Sequence, residues 1–173
     1  MAPVESRADP ALPSSCARAA TAAEARHRIQ RPIAPARAPR VVALDDGAVA
    51  VVRRMARLPW ANAQFYACEA GGEAVVLRRI EGRPAGLADE LVAADVVVMI
   101  ATDDRGAGGA HAIGTACGQR GIMTAGLVVA GPDAGADTHA ADRAVAALRP
   151  HARVLLPGAD ENDVVELLRA LRA

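Results

Sequence analysis

Four short apolar runs divide residues 40–158 into regular segments. They are RVVAL (40–44), DVVVMIA (95–101), GIMTAGLVVAG (121–131) and ARVLLPG (152–158). The run over 95–101 is continuously apolar, which is typical of a strand that is buried on both faces, and the two later runs predict a second and a third buried strand. AQFYACEA (63–70) alternates weakly and predicts a further strand, whereas EAVVLRRI (73–80) is compatible with a strand or the start of a helix.

Helical periodicity fills the stretches between these runs. In 48–58, Val49, Val52, Met55 and Ala56 share one face while arginines occupy the other, and Pro59 ends the pattern. Similar patterns predict helices over 87–94, 106–119 and 137–150 and at the end of the chain, where acidic residues fill the first turn. Alternating strands and helices predict an α/β fold: a three-layer Rossmann-like sandwich with a mostly parallel sheet.

The first 39 residues have a different texture, rich in Pro, Ala and Arg and without a sustained period. Thr21 and Glu24 form a capping-box pattern that predicts one short helix there. We therefore expect a flexible, partly helical N-terminal extension over 1–39 and a single domain over 40–173.

Composition narrows the classes of function. Hydrophobic residues make up 52% of the chain but aromatic residues only 2%, so the core must consist of Val, Leu, Ile and Ala. Every basic residue is Arg, which removes lysine-dependent chemistry such as a P-loop phosphate contact. Residues 1–40 hold seven Arg and three acidic residues, a density that favours a solvated tail over a nucleic-acid-binding arm.

Cysteine spacing and hydropathy exclude further classes. The three cysteines, Cys16, Cys68 and Cys117, form no C-x-x-C pair, so neither a zinc site nor a disulfide framework is predicted. No apolar stretch approaches the length of a membrane span, and the N-terminus lacks a signal-peptide core. We expect a cytoplasmic protein.

The loop after the 95–101 strand is the strongest candidate site, because ligands of such sheets bind at the carboxyl ends of the strands. Gly106, Ala107, Gly108 and Gly109 could bring backbone amides close to a phosphate at the start of a helix. A tight strand-to-helix turn would explain the same glycines. Asp103 and Asp104 would repel a phosphate unless they hold Mg²⁺ beside it, and helix capping is the alternative role for them.

The loop after the first strand carries Asp45, Asp46 and Gly47 where a dinucleotide-binding protein would have several glycines, so dinucleotide binding is not expected. His111 stands near the same edge and could pair with Asp103 or Asp104 as a general base, or be a partly exposed helix residue. Cys117 is expected in the core. Cys68 has no histidine nearby and is a poor candidate nucleophile.

Taken in order, residues 40–165 resemble the nucleotide-binding domain of the tubulin and FtsZ family. The segment from Val41 to Ala70 is similar to the family's opening strand, glycine loop, helix and second strand, with Arg54 and Met55 matching the end of the helix pattern. LADELVAADVVVMIATDDRGAGGAHAIGTACGQRGIMTAGLVVAG (87–131) is similar to the family's signature region. The resemblance implies a GTP or GDP site with Mg²⁺ formed by Asp45, Asp46, Gly47 and the 103–109 loop.

The sequence departs from the family at the residues that contact nucleotide. The first glycine loop is replaced by Asp45-Asp46-Gly47-Ala48, and the signature loop keeps only GAGG. No counterpart of the family's catalytic acidic loop follows the last apolar run. The resemblance therefore implies a non-hydrolysing interaction or regulatory module with weak or lost GTP binding and a protein partner or homo-oligomeric assembly.

Two other functions remain open at this point. A residual GTP-binding protein could use Mg²⁺ between the Asp103–Asp104 pair and the phosphates. The strand and glycine loop at 95–109 also resemble a sugar-isomerase-type phosphosugar-binding domain, although the loop has no serine. A small-molecule enzyme that uses His111 with the aspartates is a further, weaker hypothesis. Because the family's catalytic acidic loop has no counterpart, GTP hydrolysis by the chain is not expected, and enzymatic activity is left undecided.

Overall fold

A central sheet of seven strands organises the computed structural model of the protein, which describes residues 37–71, 74–80, 82–130 and 141–173. All of them belong to the unit Pro35–Ala173. The predicted helix with Thr21 and Glu24 lies outside the described residues, and so does the start of the helix predicted over 137–150. The strands are β1 Pro39–Ala43, β2 Gln64–Gly71, β3 Ala74–Arg79, β4 Pro84–Gly86, β5 Val96–Ala101, β6 Met123–Val129 and β7 Val154–Ala159.

Five α-helices and one 3-10 turn accompany these strands in the described part of the chain. The helices are α1 Asp46–Ala56, α2 Leu87–Val92, α3 Ala107–Arg120, α4 Asp142–Leu148 and α5 Glu161–Ala170, and the 3-10 turn is Asp104–Gly106. No described helix is long and apolar enough to cross a membrane.

The strand order β4-β3-β2-β1-β5-β6-β7 confirms the predicted Rossmann-like architecture. β2, β1, β5, β6 and β7 are parallel, while β3 and β4 extend the β2 edge as antiparallel strands. The chain first moves from β1 to β2 and later returns to the other side of β1 with β5. The boundary between β1 and β5 is therefore the topological switch point, where such sheets bind ligands.

Two hydrophobic cores, one on each face of the sheet, make the sandwich three-layered. Residues of α1 and α5 pack on one face, and residues of α2, α3 and α4 pack on the other. β5 supplies both cores: Val98 and Ile100 point to the first, and Val97 and Met99 to the second. The prediction that 95–101 is a strand buried on both faces is thus confirmed.

The helix α1 shows how the sequence pattern translates into packing. Its buried residues are Ala48, Val51, Val52 and Met55, so Val49 and Ala56, which were predicted to share the buried face, are only partly covered. Arg54 faces outward and pairs with Glu161 at the start of α5. The ion pair joins the two helices on this face of the sheet.

The prediction that 152–158 contains a strand is confirmed, but the prediction that this strand is buried is wrong. The strand exists as β7, but among the described strands it is the last in the sheet and has a neighbour on one side only. Val154 is 44% exposed and Leu156 is 36% exposed. An apolar sequence alone does not distinguish a central strand from such an edge strand.

A buried arginine braces the amino-terminal end of the sheet. Arg40 is only 4% exposed and donates to the carbonyl oxygens of Ala38, Glu90 and Ala93, each at 3.2 Å. The carboxylate of Glu90 also accepts from the hydroxyl of Tyr66 and lies 3.7 Å from the Arg40 guanidinium. Burial and the charge of Glu90 raise the pKa of Tyr66, so its hydroxyl stays protonated.

Candidate functional site at the switch point

The switch point brings the two predicted loops together. The amide of Leu44 donates to the carbonyl of Ile100 at 2.9 Å, so the ends of β1 and β5 lie side by side. Asp45, Asp46 and Gly47 leave β1 and enter α1, while Asp103 and Asp104 leave β5 and enter the 3-10 turn. Asp45 and Thr102, which are hydrogen-bonded across the two segments, are 57 residues apart in sequence.

Asp45 is the centre of this cluster. It is 8% exposed, and its carboxylate accepts four hydrogen bonds. Oδ1 accepts from the amide of Ala48 at 2.8 Å and from the hydroxyl of Thr102 at 2.6 Å. Oδ2 accepts from the amides of Thr102 at 2.7 Å and Asp103 at 3.3 Å. The carboxylate of the protein itself thus occupies the helix N-terminus, the position that attracts a bound anion in folds of this type.

Asp103 is neutralised by a residue that sequence analysis did not single out, Arg105. The guanidinium of Arg105 donates to Asp103 Oδ2 at 2.9 and 2.7 Å, and the Arg105 amide donates to Oδ1 at 2.8 Å. Arg105 also reaches Asp46 Oδ2 at 3.3 Å. The hydrogen bonds and charge of Arg105 hold the pKa of Asp103 below its usual range, so this carboxyl is ionised at neutral pH. Asp103 caps the 3-10 turn, which was one of its two expected roles.

Asp104 has a different partner from its neighbour. Its Oδ1 accepts from the amides of Arg143 at 2.8 Å and Ala144 at 3.1 Å, in the first turn of α4. Capping is therefore the role that the geometry supports for Asp104 as well, although the capped helix is not the one that follows it. In the part of the chain that the structure describes, no group of three or more His, Cys, Asp or Glu side chains could hold a metal ion. The Mg²⁺ hypothesis for Asp103 and Asp104 stays a prediction.

The glycines at the start of α3 allow close packing. A Cβ on Gly106 would lie 2.5 Å from the Cβ of Leu44, and one on Gly109 would lie 2.8 Å from the sulfur of Cys68. Gly108 has open space around it. The amide of Ala107 is already bonded to the carbonyl of Asp104. Two glycines of the GAGG sequence thus fit the helix against the ends of β1 and β2, whereas Gly108 is not required for such packing.

Charge at this edge disfavours an anionic ligand. Asp45, Asp46, Asp103 and Asp104 place four carboxylates within two short loops, and the cation among them, Arg105, is paired with two of the four. Repulsion between a carboxylate and a phosphate in contact costs about 1–4 kcal/mol at surface-like dielectric constants. Nucleotide binding would require these contacts to rearrange.

The other chemically interesting residues do not join this cluster. His111, expected as a possible partner of Asp103 or Asp104, lies instead against His151, with 3.3 Å between ring nitrogens. Cys117 is fully buried, as predicted. Burial raises the pKa of the Cys68 thiol to about 11, which agrees with its expected inertness as a nucleophile.

Thr102 and Arg105 are the site residues that sequence analysis missed. Thr102 is the first residue after a buried strand, at the place where ligands or cross-loop contacts form. Arg105 stands two residues after Asp103, the spacing at which an aspartate side chain bonds a backbone amide. Both signals were present, but neither specifies a partner on another loop.

In sequence, the chain matches no protein-family model and no curated protein.

Proposed function

We propose that this chain is a non-hydrolysing interaction or regulatory module whose Rossmann-like, tubulin/FtsZ-like nucleotide-binding domain has exchanged the phosphate for its own Asp45 carboxylate. The observation that carries this proposal is the set of four hydrogen bonds that Asp45 accepts at the switch point. Three of these four donors are backbone amides, those of Ala48, Thr102 and Asp103, and the carboxylate that they bind is a covalent part of the chain.

Energetics favours the internal carboxylate over an external phosphate. Asp45 is held covalently, so it pays no translational cost on binding, whereas a nucleotide loses that freedom when it binds. A phosphate would also have to displace Asp45 and approach Asp103 and Asp46. We therefore expect GTP and GDP, with or without Mg²⁺, to bind weakly or not at all.

The partner in this proposal is a protein, and the β7 side of the sheet supports it. Val154 pairs in register with Ala125, and Leu156 pairs with Leu127. Since paired residues of adjacent strands point to the same face, Val154 and Leu156 extend the core of α1 and α5 to the margin of the sheet. They remain substantially exposed there. Apolar side chains at such a margin are suited to contact another protein surface, and a second copy of the chain is the simplest case.

A thermal-unfolding series tests the nucleotide half of the proposal. The full chain is heated with GTP, GDP and a sugar phosphate, each with and without Mg²⁺, at concentrations up to the millimolar range. No ligand should raise the midpoint, whereas a nucleotide present at 100 times its Kd would add about 2.7 kcal/mol to the free energy of unfolding. Mg²⁺-dependent stabilisation by GTP would overturn the proposal in favour of residual GTP binding, and stabilisation by the sugar phosphate alone would favour the phosphosugar hypothesis.

Sedimentation tests the interaction half. Wild-type chain and a Leu156→Asp variant are compared at a series of concentrations, with Leu58→Asp as a matched control because Leu58 is also an exposed leucine, 41% exposed, outside β7. If copies associate through the β7 face, Leu156→Asp shifts the chain towards monomer and Leu58→Asp does not. A monomer at all concentrations would exclude self-association.

A further inference from the structure

Two histidines that are 40 residues apart in sequence meet on the face of the sheet that carries α3 and α4. His111 is in α3, and His151 is in the connection between α4 and β7. His151 Nε2 lies 3.3 Å from His111 Nδ1, and the ring centroids are 5.3 Å apart with the planes inclined by 63°. The pair is separate from the switch point and takes no part in the function proposed above.

The His151 ring is held in place by its surroundings. It lies against Gly114 in α3, where a Cβ would come within 2.6 Å of the Cβ of His151. The His151 amide donates to the carbonyl of Leu148 at 3.0 Å, and its carbonyl accepts from the hydroxyl of Thr124. His111 stands one turn before Gly114 on the same helix. The His151 ring is thus positioned before any ligand arrives, which lowers the entropic cost of binding one.

The spacing of the two nitrogens suits a tetrahedral metal ion. With metal–nitrogen bonds of about 2.0–2.1 Å, adjacent ligand nitrogens are about 3.3–3.4 Å apart, and the centroids of the two rings are about 5.2 Å apart. The observed separations, 3.3 and 5.3 Å, match both values. A hydrogen bond between the rings fits the same nitrogen spacing, so the distance between the two nitrogens need not change when a metal ion replaces the shared proton.

We propose that His111 Nδ1 and His151 Nε2 bind one divalent transition-metal ion of the Zn²⁺, Ni²⁺ or Cu²⁺ class, with water in the remaining coordination positions. Imidazole nitrogen is a preferred ligand of these ions. His111 is exposed and His151 is half-buried, so an ion from solvent can reach the pair. In the described residues no third His, Cys, Asp or Glu completes the group, which makes this a two-ligand site with open positions.

A bound ion would connect two elements that lie far apart in sequence. It would tie α3, whose first turn contains Gly108 and Gly109, to the segment that leads into β7. The ion binds the folded arrangement of the rings and therefore stabilises it. The expected consequence is a metal-dependent rise in the stability of the whole domain.

The test uses the full chain, which is freed of metal with EDTA and then separated from the EDTA. Separate samples are titrated with Ni²⁺ and with Zn²⁺ in a calorimeter. Ni²⁺ is the primary probe because it prefers imidazole to an exposed carboxylate, and Zn²⁺ checks that the site is not specific to one ion. We expect one ion per chain. His111→Gln should weaken its binding at least tenfold, and His151→Gln should have the same effect.

The control is the double variant His27→Gln with His139→Gln, which removes the other two histidines of the chain. It should retain the wild-type affinity. Because His151→Gln could disturb the packing against Gly114, the exposed His111→Gln variant decides the outcome, with circular dichroism confirming its fold. Absence of stoichiometric binding by the wild type, full affinity in His111→Gln, or loss of affinity in the control each overturns the proposal.

Discussion

The hydroxyl group of Thr102 fills the space that a side chain on Gly47 would need. A Cβ on Gly47 would overlap the Thr102 hydroxyl oxygen and lie 3.1 Å from the Thr102 Cβ. The same hydroxyl donates to Asp45 at 2.6 Å. Gly47 is therefore required for the approach of the two loops, and the hydrogen bonds of Asp45 depend on that approach.

Replacing Gly47 by Ala should destabilise the fold by about 2 kcal/mol. In the first turn of a helix, Ala is intrinsically favoured over Gly by up to about 1 kcal/mol, so an increase in stability is the result expected without a clash. Overlap with Thr102 instead forces a shift that costs about 1–3 kcal/mol and strains the Asp45 hydrogen bonds. Urea unfolding of Gly47→Ala, Thr102→Gly and the double variant measures the coupling, and additive effects would contradict the proposed overlap.

Gly108 and Gly118 provide the opposite expectation. Both lie in α3, and a Cβ on either would meet nothing within 4 Å. Gly108→Ala and Gly118→Ala should each stabilise the domain by about 0.5–1 kcal/mol, because Ala loses less backbone entropy in a helix. Unfolding midpoints in urea check this. A destabilised Gly108→Ala with a stabilised Gly118→Ala would indicate that space at Gly108 is used by the folded protein.

The layered fold could be predicted because its signals are local. The all-apolar sequence of β5 indicates burial on both faces, and the periodicity of α1 places one side of the helix on the sheet. β4 was missed, since Pro84–Gly86 is only three residues long and has no pattern of its own. The exposure of β7 was also missed, because position at an edge depends on which strands pair.

The meeting of the two loops was predictable from the sequence, but the contacts between them were not. Placing Asp45 and Asp103 at one edge follows from the rule that parallel strands end on the same side. The register of neighbouring elements and the loop geometry decide which hydrogen bonds form. They determine that Asp45 accepts a hydrogen bond from the amide of Thr102 and that Asp104 accepts one from α4. The four aspartates suggested either a bound cation or repulsion of a phosphate. In the folded chain each of them is instead paired with backbone amides or with Arg105.

Cys68 should react slowly in the folded protein. Burial, and to a smaller extent the charge of Glu69, raises the pKa of its thiol to about 11. At pH 8 the reactive thiolate is then about 200-fold rarer than for an ordinary cysteine with a pKa near 8.5. Iodoacetamide labelling followed by peptide mass mapping should show Cys68 modified far more slowly in native than in urea-unfolded chain.

The pH dependence of this labelling has a definite sign. Because the folded-state pKa of Cys68 is raised, the folded state favours the neutral thiol, and its contribution to stability is complete below the unfolded pKa. That contribution is lost as pH rises towards about 11, the pKa of the folded thiol. Labelling requires the thiolate, and the thiolate fraction grows as the pH approaches this pKa. Labelling should therefore accelerate throughout the range from pH 8 to 10. A native rate that equals the unfolded rate at pH 8 would show that the thiol is not shielded.

Replacing Asp45 by Gly should remove about 3 kcal/mol of stability and leave a site that acetate can partly refill. The variant leaves the amides of Ala48, Thr102 and Asp103 without their acceptor, and unsatisfied buried donors cost about 1–3 kcal/mol each before relaxation. Acetate supplies the carboxylate that the substitution deletes, and its methyl carbon takes the place of the lost Cβ. Since it binds only the folded chain, it should raise the urea midpoint of Asp45→Gly more than that of wild type at equal ionic strength.

Asp46→Gly is the matched control for this rescue. The Asp46 side chain is 91% exposed and pairs with Arg105, so its removal should cost less than about 1 kcal/mol and acetate should give it no specific benefit. If acetate rescues neither variant while Asp45→Gly is strongly destabilised, Asp45 acts through backbone geometry rather than as an anion. If Asp45→Gly is as stable as wild type, the amides at the switch point find other acceptors, and the carboxylate there is not what keeps an external phosphate out.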